Sequence, residues 1–138
     1  SKDGMDIAFI SYDTEANKLY FAGANNPLII VHDRDYEEVK ADKQAIGGSQ
    51  EEDERRFTLQ ERDVQPGDSY YVYSDGFQDQ FGGPRGRKYM TKKFKKKLAE
   101  ISVEHPQEQK KILDREIMDW MGDEYEQSDD IIIVGLKF

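Results

Sequence analysis

The chain has 138 residues, the size of one ordinary domain, with 29 acidic against 20 basic residues. Its net charge of -9 argues against sequence-independent binding to nucleic acid, because most of the surface would repel phosphates. It has no cysteine and no apolar run near the roughly 20 residues that span a bilayer, which excludes disulfides, cysteine nucleophiles and a membrane-spanning helix.

The first half of the chain predicts an antiparallel meander of strands. The apolar run from Asp6 to Tyr12 is typical of a strand buried on both faces, and the turn formers at 13–17 would close a hairpin onto residues 18–23. Further strands are predicted at 28–31, 37–39, 57–59 and 70–73, with turns at 25–27 and 66–68, a glycine loop at 46–48 and an exposed acidic loop at 49–54.

In the second half the spacing of apolar residues changes to that of helices. Thr91 is predicted to cap a first helix, whose apolar residues recur three and four positions apart. A second helix starts near Pro106 and ends at Gly122, and the chain closes with a buried strand at 131–136. Strands, two helices and a last strand that inserts beside earlier ones indicate a single α+β domain built in layers.

Two groups of aspartates lie at the ends of strongly predicted strands. Asp75 follows the strand at 70–73, and Asp129 and Asp130 directly precede the strand at 131–136. Carboxylates at strand ends are held by a stiff scaffold and can face a cleft, as the ligands of Mg²⁺ or Mn²⁺ must. If Asp75 and Asp129 lie on adjacent strands, a divalent ion would relieve their mutual repulsion.

Simpler explanations stay open for each of these residues. An Asp-Gly pair after a strand commonly forms a turn, and a Ser-Asp pair before a strand commonly forms a cap or loop. Asp6 and Asp79 either line the same cleft or serve as turn residues. His32 and His105 are predicted to be surface or capping residues rather than bases or ligands.

A strongly basic segment, residues 85–97, interrupts this acidic chain. It is either a solvated helix face with the loop before it, or a docking surface for an acidic or phosphorylated partner. Its eight bases, with no acid among them, are Arg85, Arg87, Lys88, Lys92, Lys93, Lys95, Lys96 and Lys97.

The motifs occur in an order that resembles a known family. Residues 73–83 (YSDGFQDQFGG), two predicted helices and residues 127–134 (QSDDIIIV) look like the C-terminal half of bacterial metal-dependent serine/threonine phosphatases of the sporulation stage II protein E type. These belong to the wider type 2C (PPM) superfamily. Residues 3–9, 22–27 and 45–48 also match the family's order of motifs, so the resemblance covers essentially the whole chain. Each motif alone is weak, but five in the right order are fairly specific. The combination is similar to versions fused to membrane sensor or repeat modules in Bacteroidetes-like bacteria.

The resemblance implies a partial β-sandwich of antiparallel sheets with two flanking helices and a two-metal Mn²⁺ or Mg²⁺ centre. By the same resemblance, Asp75 and Asp129 are metal ligands, and Gly76 and Asp130 support the site. In the family mechanism a metal-bound hydroxide attacks the phosphorus of phosphoserine or phosphothreonine, so no protein nucleophile is needed.

The family also implies a partner. Its substrate would be a phosphorylated regulatory protein of the sulfate-transporter/antisigma (STAS) type, an anti-sigma-factor antagonist, and neither nucleic acid nor membrane contact is expected of this segment. The residues predicted to dock the substrate, because they directly follow the first aspartate motif, are Arg85, Arg87, Lys88, Lys92 and Lys93. The family and the missing cysteines favour a cytoplasmic location, in a parent that upstream domains could tether to a membrane.

The chain departs from the family pattern at its start. An early-strand aspartate and an Asp-Gly pair that hold the bridging metal would lie upstream of residue 3, so we expect residues 1–138 to be the C-terminal portion of a phosphatase domain that lacks its N-terminal strands and motifs. Such a portion would bind metal poorly, hydrolyse little and self-associate through sheet edges that the missing strands would cover. One alternative is a phosphatase-like signalling or binding module without catalysis. Another is an unrelated acidic α+β interaction domain, in which Asp75 and Asp129 should lie far apart.

Overall fold

The chain folds into two main antiparallel sheets that pack face to face, with two helices on the outer face of one of them and two further two-stranded pairs. The computed structural model describes residues 4–43, 46–47 and 56–138. Within these ranges the helices are α1 (Thr91–Ile101) and α2 (Pro106–Met121), and the strands are β1 (Gly4–Met5), β2 (Ile7–Asp13), β3 (Lys18–Ala24), β4 (Leu28–His32), β5 (Asp35–Val39), β6 (Ile46–Gly47), β7 (Gln60–Asp63), β8 (Ser69–Tyr73), β9 (Phe81–Gly82), β10 (Arg87–Lys88) and β11 (Ile133–Lys137). This is the α+β sandwich with two flanking helices that the sequence predicts.

The larger sheet has the strand order β11-β8-β4-β5, the smaller sheet has the order β2-β3-β7, and the two further pairs are β1-β6 and β9-β10. All neighbours in both sheets are antiparallel. β8 pairs with β11 so that Tyr73 lies opposite Ile133, and β4 pairs with β8 so that Ile30 lies opposite Tyr70. The last strand therefore pairs with an earlier strand, as the sequence predicts, and that strand is β8.

Alternate residues of β4 enter two different cores. Leu28 and Ile30 pack with Phe21 of the smaller sheet. Ile29 and Val31 point the other way, into a second cluster that includes buried residues of both helices. Because the side chains of a strand alternate between its two faces, a strand covered on both sides is apolar throughout, which explains the Leu-Ile-Ile-Val run.

The helices lie where the sequence predicts, with one difference at the start of α1. α2 begins at Pro106 and stops at Gly122, which adopts a φ of 58°. Thr91 is the first residue of α1 rather than its cap. The cap position is Met90, whose N–H donates to the carbonyl of Gln78 (2.8 Å), so a tertiary hydrogen bond fixes the start of the helix. Neither helix in the described ranges is long and apolar enough to cross a membrane.

Two strands that the sequence predicts to be buried, the first of them on both faces, lie at sheet edges. Within the described residues, β2 has only β3 and β11 has only β8 as a neighbour in its sheet. Both carry exposed apolar side chains, among them Phe9 (57% exposed) and Val134 (48% exposed). The prediction of buried strands at 6–12 and 131–136 is therefore wrong here. An apolar run shows that a strand can be buried. In the described part of the chain, however, no element covers the exposed apolar side chains of β2 and β11.

The strand predicted at 57–59 is displaced along the chain. The observed strand is β7 (Gln60–Asp63), which is entirely polar and pairs with β3. It is held by backbone hydrogen bonds and by a cross-strand ion pair between Lys18 and Glu61 (3.5 Å) rather than by apolar side chains. A polar edge strand such as β7 has no apolar pattern, so hydrophobicity does not predict its position.

The loop predicted around residues 46–48 is partly a strand. Ile46 and Gly47 form β6, which pairs with β1. Gly48 and the acidic loop predicted at 49–54 lie outside the described residues.

Candidate functional site

Asp75 and Asp129 come together at one end of the larger sheet. Asp75 lies just beyond the end of β8, and Asp129 lies shortly before the start of β11. β8 and β11 are antiparallel neighbours, so the end of one lies beside the start of the other. The negative charge of Asp129 is among those that act on Asp75. The structure therefore places both of these sequence-predicted residues in one cluster.

Hydrogen bonds join the segment that follows β8 to the segment that precedes β11, next to the two aspartates. The N–H of Ser74 donates to the carbonyl of Ile132 (2.9 Å), and the N–H of Ile132 donates to the hydroxyl oxygen of Ser74 (2.9 Å). The Ser74 hydroxyl donates to the carbonyl of Asp130 (3.1 Å). A Cβ on Gly76 would lie 2.1 Å from that same carbonyl oxygen, so a glycine is required for the close approach. Gly76 and Asp130 thus contribute to this geometry through their backbones.

The cluster carries an excess of negative charge. Partial burial, followed by the charges of Asp79, Asp6 and Asp129, raises the pKa of Asp75, and the Lys88 ammonium acts in the opposite direction. Asp6 and Asp79, which the sequence left undecided, therefore lie close enough to act on the same carboxylate. Lys88 also lies 3.7 Å from Asp79.

The donor chemistry of the cluster suits a hard divalent cation. Carboxylate oxygens are the ligands that such ions prefer, and a cation would neutralise the repulsion among them. In the described ranges, however, no group of three or more Asp, Glu or His side chains is arranged to hold a metal ion. These residues therefore fit part of a Mn²⁺ or Mg²⁺ site rather than a whole one.

Gln78 is a residue of this site that the sequence did not reveal. Its Nε2 donates to Oδ1 of Asp75 (3.2 Å), and the N–H of Asp79 donates to the Asp75 carbonyl (3.0 Å). These bonds order the turn that carries Asp75. The signal available in the sequence was the pair of glutamines, Gln78 and Gln80, on either side of Asp79 directly after the Asp-Gly motif.

Lys93, one of the bases expected to dock a substrate, packs on two aromatic rings. Its ammonium lies 4.3 Å from the ring centroid of Tyr89 and 4.0 Å from that of Trp120. Cation–π contacts of this kind hold a charged group against the protein. Lys93 thus links α1 to α2.

The rest of the basic segment divides into paired and unpaired residues. Lys88, Lys95 and Lys97 form ion pairs with acidic side chains. Apart from Lys93, the bases of the segment that are exposed and have no ion pair among the described residues are Arg85, Arg87, Lys92 and Lys96. The segment is therefore neither a uniformly solvated face nor a uniformly free basic surface.

The two histidines lie outside the aspartate cluster. Nδ1 of His105 accepts a hydrogen bond from the N–H of Gln107 (3.2 Å) and so caps α2, as a capping residue should. Nδ1 of His32 lies 2.5 Å from Oδ1 of the buried Asp68, a hydrogen bond that raises the pKa of His32. Asp68 precedes β8 and Asp75 follows it, so His32 lies at the opposite end of the larger sheet.

Comparison with sequence families gives one match over nearly the whole chain. A sequence model of the family Stage II sporulation protein E (SpoIIE) matches residues 3–138. No curated protein matches the chain.

Solved structures of phosphatase domains have the same fold. The SiaA-PP2C domain of Pseudomonas aeruginosa is 27% identical, with a TM-score of 0.87, and the match covers 96% of this chain and 51% of that one. The phosphatase domain of the cell fate determinant SpoIIE from Bacillus subtilis is 18% identical, with a TM-score of 0.69 and coverage of 96% and 57%. The catalytic domain of the serine/threonine protein phosphatase PstP, solved in complex with two manganese ions, is 16% identical, with a TM-score of 0.63 and coverage of 96% and 57%. The chain spans about half the length of these structures.

Proposed function

This chain belongs to the stage II sporulation protein E family, and on that premise we propose that it is the C-terminal portion of a Mn²⁺- or Mg²⁺-dependent protein serine/threonine phosphatase. A fold alone does not define an activity, so the proposal has to rest on the site. The observation that carries it is the meeting of Asp75 and Asp129 at the shared end of β8 and β11, within a cluster of like charge.

Asp75 and Asp129 would supply carboxylate oxygens to the metal centre. Bound divalent ions lower the pKa of a water molecule and stabilise charge on the phosphoryl oxygens. The protein's own part is to hold the carboxylates in place. Ser74 and Gly76 do so by fixing the segment after β8 against the carbonyl of Asp130. No side-chain nucleophile is required, which agrees with a chain that has no cysteine.

The remaining ligands would come from residues upstream of this chain. Two observations support this: the chain spans about half of the phosphatase domains that it matches, and its described residues contain no group of three potential ligands. The chain alone would then bind metal poorly and hydrolyse little.

The edge strands β2 and β11 are where upstream strands would pair. Without those strands, the chain would self-associate through the same edges. A clean monomer at high concentration in light scattering would contradict the self-association.

Hydrolysis of a phosphoserine protein by the protein extended upstream of residue 1 tests the proposed function. We expect activity that disappears when a chelator removes the metal and returns when Mn²⁺ is added. Activity that persists without metal would contradict the proposal. An extended protein that is folded but inactive with every divalent ion would favour the non-catalytic binding module instead.

The proposed substrate is a phosphorylated regulatory protein, such as a STAS-type antagonist of an anti-sigma factor. This class of substrate is what the family resemblance implies, and the family model matches residues 3–138. The exposed bases Arg85, Arg87 and Lys92 offer a surface of opposite charge to a phosphorylated or acidic partner, and they follow Asp75 closely in the chain. A surface of this kind attracts a protein partner over a distance rather than acting in the chemical step.

Charge reversal at Lys92 should slow dephosphorylation of a protein partner and leave a small phosphoester unaffected. Lys92 is exposed and has no ion pair in the part of the chain that the structure describes. Because its attraction is long-range, Lys92→Glu should lower kcat/KM for the phosphoprotein by about 10-fold at low salt. The difference from the wild type should shrink as salt is added.

Lys93→Glu and Lys111→Glu are the matched controls for this measurement. Lys93→Glu removes the contacts with Tyr89 and Trp120, so it should lower the melting temperature and affect both substrates through folding. Lys111 is an exposed lysine on α2, outside the basic segment, and its reversal should change neither substrate. Equal loss on both substrates in Lys92→Glu would contradict a docking role.

A further inference from the structure

Gln80 is a polar side chain with no exposed surface, located in the loop that follows Asp75. Its Nε2 donates to the carbonyl of Glu126 (2.8 Å) and to the carbonyl of Phe81 (3.0 Å). Its Oε1 accepts a hydrogen bond from the N–H of Ser128 (3.2 Å). Both donors of the amide and its acceptor are thus satisfied, as a buried amide requires.

Two of these three partners lie in the segment that leads into Asp129. Glu126 and Ser128 sit on either side of Gln127, and Asp129 follows directly. Residues 125–128 belong to neither α2 nor β11, so no helix or strand ladder holds them in place. The side chain of Gln80 therefore ties the loop that carries Asp129 to the loop that carries Asp75.

The Gln80 backbone is itself firmly anchored. Its carbonyl accepts hydrogen bonds from the N–H of Tyr89 (2.9 Å) and from Nε1 of Trp120 (2.8 Å). The N–H of Gly83 donates to the carbonyl of Trp120 (2.8 Å), which attaches the same loop to the end of α2. Because several hydrogen bonds fix the backbone of Gln80, its side-chain hydrogen bond can in turn fix the position of Ser128 and of Asp129, the next residue.

Asp129 needs such support because it lies in a cluster of like charges. Its own carboxylate accepts a hydrogen bond from the N–H of Asp130 (2.8 Å), a local contact that does not fix the loop against the sheet. The charges of Asp75 and Asp129 repel each other when no cation is bound. The Ser74 hydroxyl holds the carbonyl of Asp130, on the far side of Asp129 (3.1 Å). Without the bonds to Gln80, the loop would be held on that side alone, and the repulsion would favour movement of Asp129 away from Asp75.

We propose that Gln80 is a positioning residue that holds Asp129 opposite Asp75 in a geometry ready to bind a divalent cation. The inference rests on the proposed function, since it takes Asp75 and Asp129 as ligands. Gln80 touches neither the substrate nor the metal. Its effect is to lower the cost of bringing two carboxylates together, as outer-shell partners do in metal sites.

A buried glutamine elsewhere in the fold provides a matched control. Gln109 of α2 is 8% exposed, accepts a hydrogen bond from the hydroxyl of Tyr71 (2.7 Å) and donates to the carbonyl of Glu104 (2.8 Å). Its partners lie away from the aspartates. Replacing either glutamine by methionine keeps the approximate volume and removes buried hydrogen bonds, so both variants should lose stability.

The test is the affinity for Mn²⁺ of the protein extended upstream of residue 1, measured by isothermal titration calorimetry well below the melting temperature of each variant. Gln80→Met should weaken Mn²⁺ binding by about 10- to 100-fold. Gln109→Met should bind Mn²⁺ like the wild type. Saturating Mn²⁺ should restore most of the kcat of Gln80→Met, because the ligands themselves are intact. If Gln80→Met fails to fold, the smaller change Gln80→Asn is measured instead, with the same weakening expected.

Two outcomes would overturn the inference, and they are distinguishable. Wild-type Mn²⁺ affinity in a destabilised Gln80 variant would show that the residue serves folding alone, while loss of Mn²⁺ binding in Asp75→Asn would keep the proposed function intact. Unchanged Mn²⁺ binding in Asp75→Asn would instead remove the proposed metal site, and the role of Gln80 would fall with it.

Discussion

Replacing Asp75 by asparagine should reduce the kcat/KM for Mn²⁺-dependent hydrolysis of a phosphoserine protein by more than about 100-fold, beyond the loss that outer-shell partners of a metal cause. Asparagine keeps the size of the side chain but removes the charge that makes it a ligand for a hard cation. Asp129→Asn should have the same effect, because both carboxylates belong to one cluster. The assay uses the protein extended upstream of residue 1.

The melting temperature without metal separates this loss of activity from unfolding. Asp75 sits among three other aspartates whose charges act against its ionisation. Removing its charge relieves that repulsion, so metal-free Asp75→Asn should be at least as stable as the wild type at pH 7. Asp123, an exposed aspartate after α2, provides the control: Asp123→Asn should change neither activity nor stability. Near wild-type activity in Asp75→Asn would contradict the assignment.

Replacing Phe94 by alanine should lower the free energy of unfolding by about 3–5 kcal/mol, the usual cost of emptying a buried aromatic site. Phe94 is 0% exposed. Its ring centroid lies 4.7 Å from that of Phe77, to which it is stacked, and 4.8 Å from that of Tyr73, which it meets edge to face. Urea denaturation followed by circular dichroism gives the difference directly.

Met118 of α2, which is 66% exposed, is the control for this substitution. Met118→Ala should change stability by no more than about 0.5 kcal/mol, because no core contact is lost. Phe77 lies two residues after Asp75, so the packing around Phe94 also supports the loop that carries the aspartate. A loss below about 1 kcal/mol for Phe94→Ala would show that this core is looser than the ring contacts indicate.

Elements with strong side-chain periodicity could be predicted from the sequence. β4 and β8 are apolar runs covered on both sides, and α1 and α2 have apolar stripes that face the larger sheet. In these elements the pattern of side chains is a direct result of which faces are covered. The family resemblance, which depends on the order of several motifs, agrees with these predicted strands and helices.

Elements whose position depends on their neighbours could not be predicted in the same way. β7 is polar and is placed by the backbone of β3, so its side chains gave no signal. β2 and β11 have the sequence of covered strands but lie at edges in the described structure. The sequence leaves Lys93 as a docking or a solvated base, because it does not show that the ammonium contacts the rings of Tyr89 and Trp120.

The candidate site shows the same division. Asp75 and Asp129 could be found because each stands at the end of a strong strand and within a family motif. The roles of Gln78 and Gln80 could not be predicted, since they depend on hydrogen bonds that only the fold shows, from Gln78 to Asp75 and from Gln80 to Glu126. The sequence does not show whether a glutamine is buried or exposed, and only the fold distinguishes the two cases.

We propose that Asp75 and Asp129 form part of a metal centre that upstream residues complete. The most direct test of this claim compares two proteins, residues 1–138 and the same protein extended upstream of residue 1. The quantity measured is the Mn²⁺-dependent hydrolysis of a phosphoserine protein. We expect activity in the extended protein and none in the 138-residue chain, because its described residues contain no group of three potential metal ligands. Full activity in the 138-residue chain, or no activity in a folded extended protein, would contradict the claim.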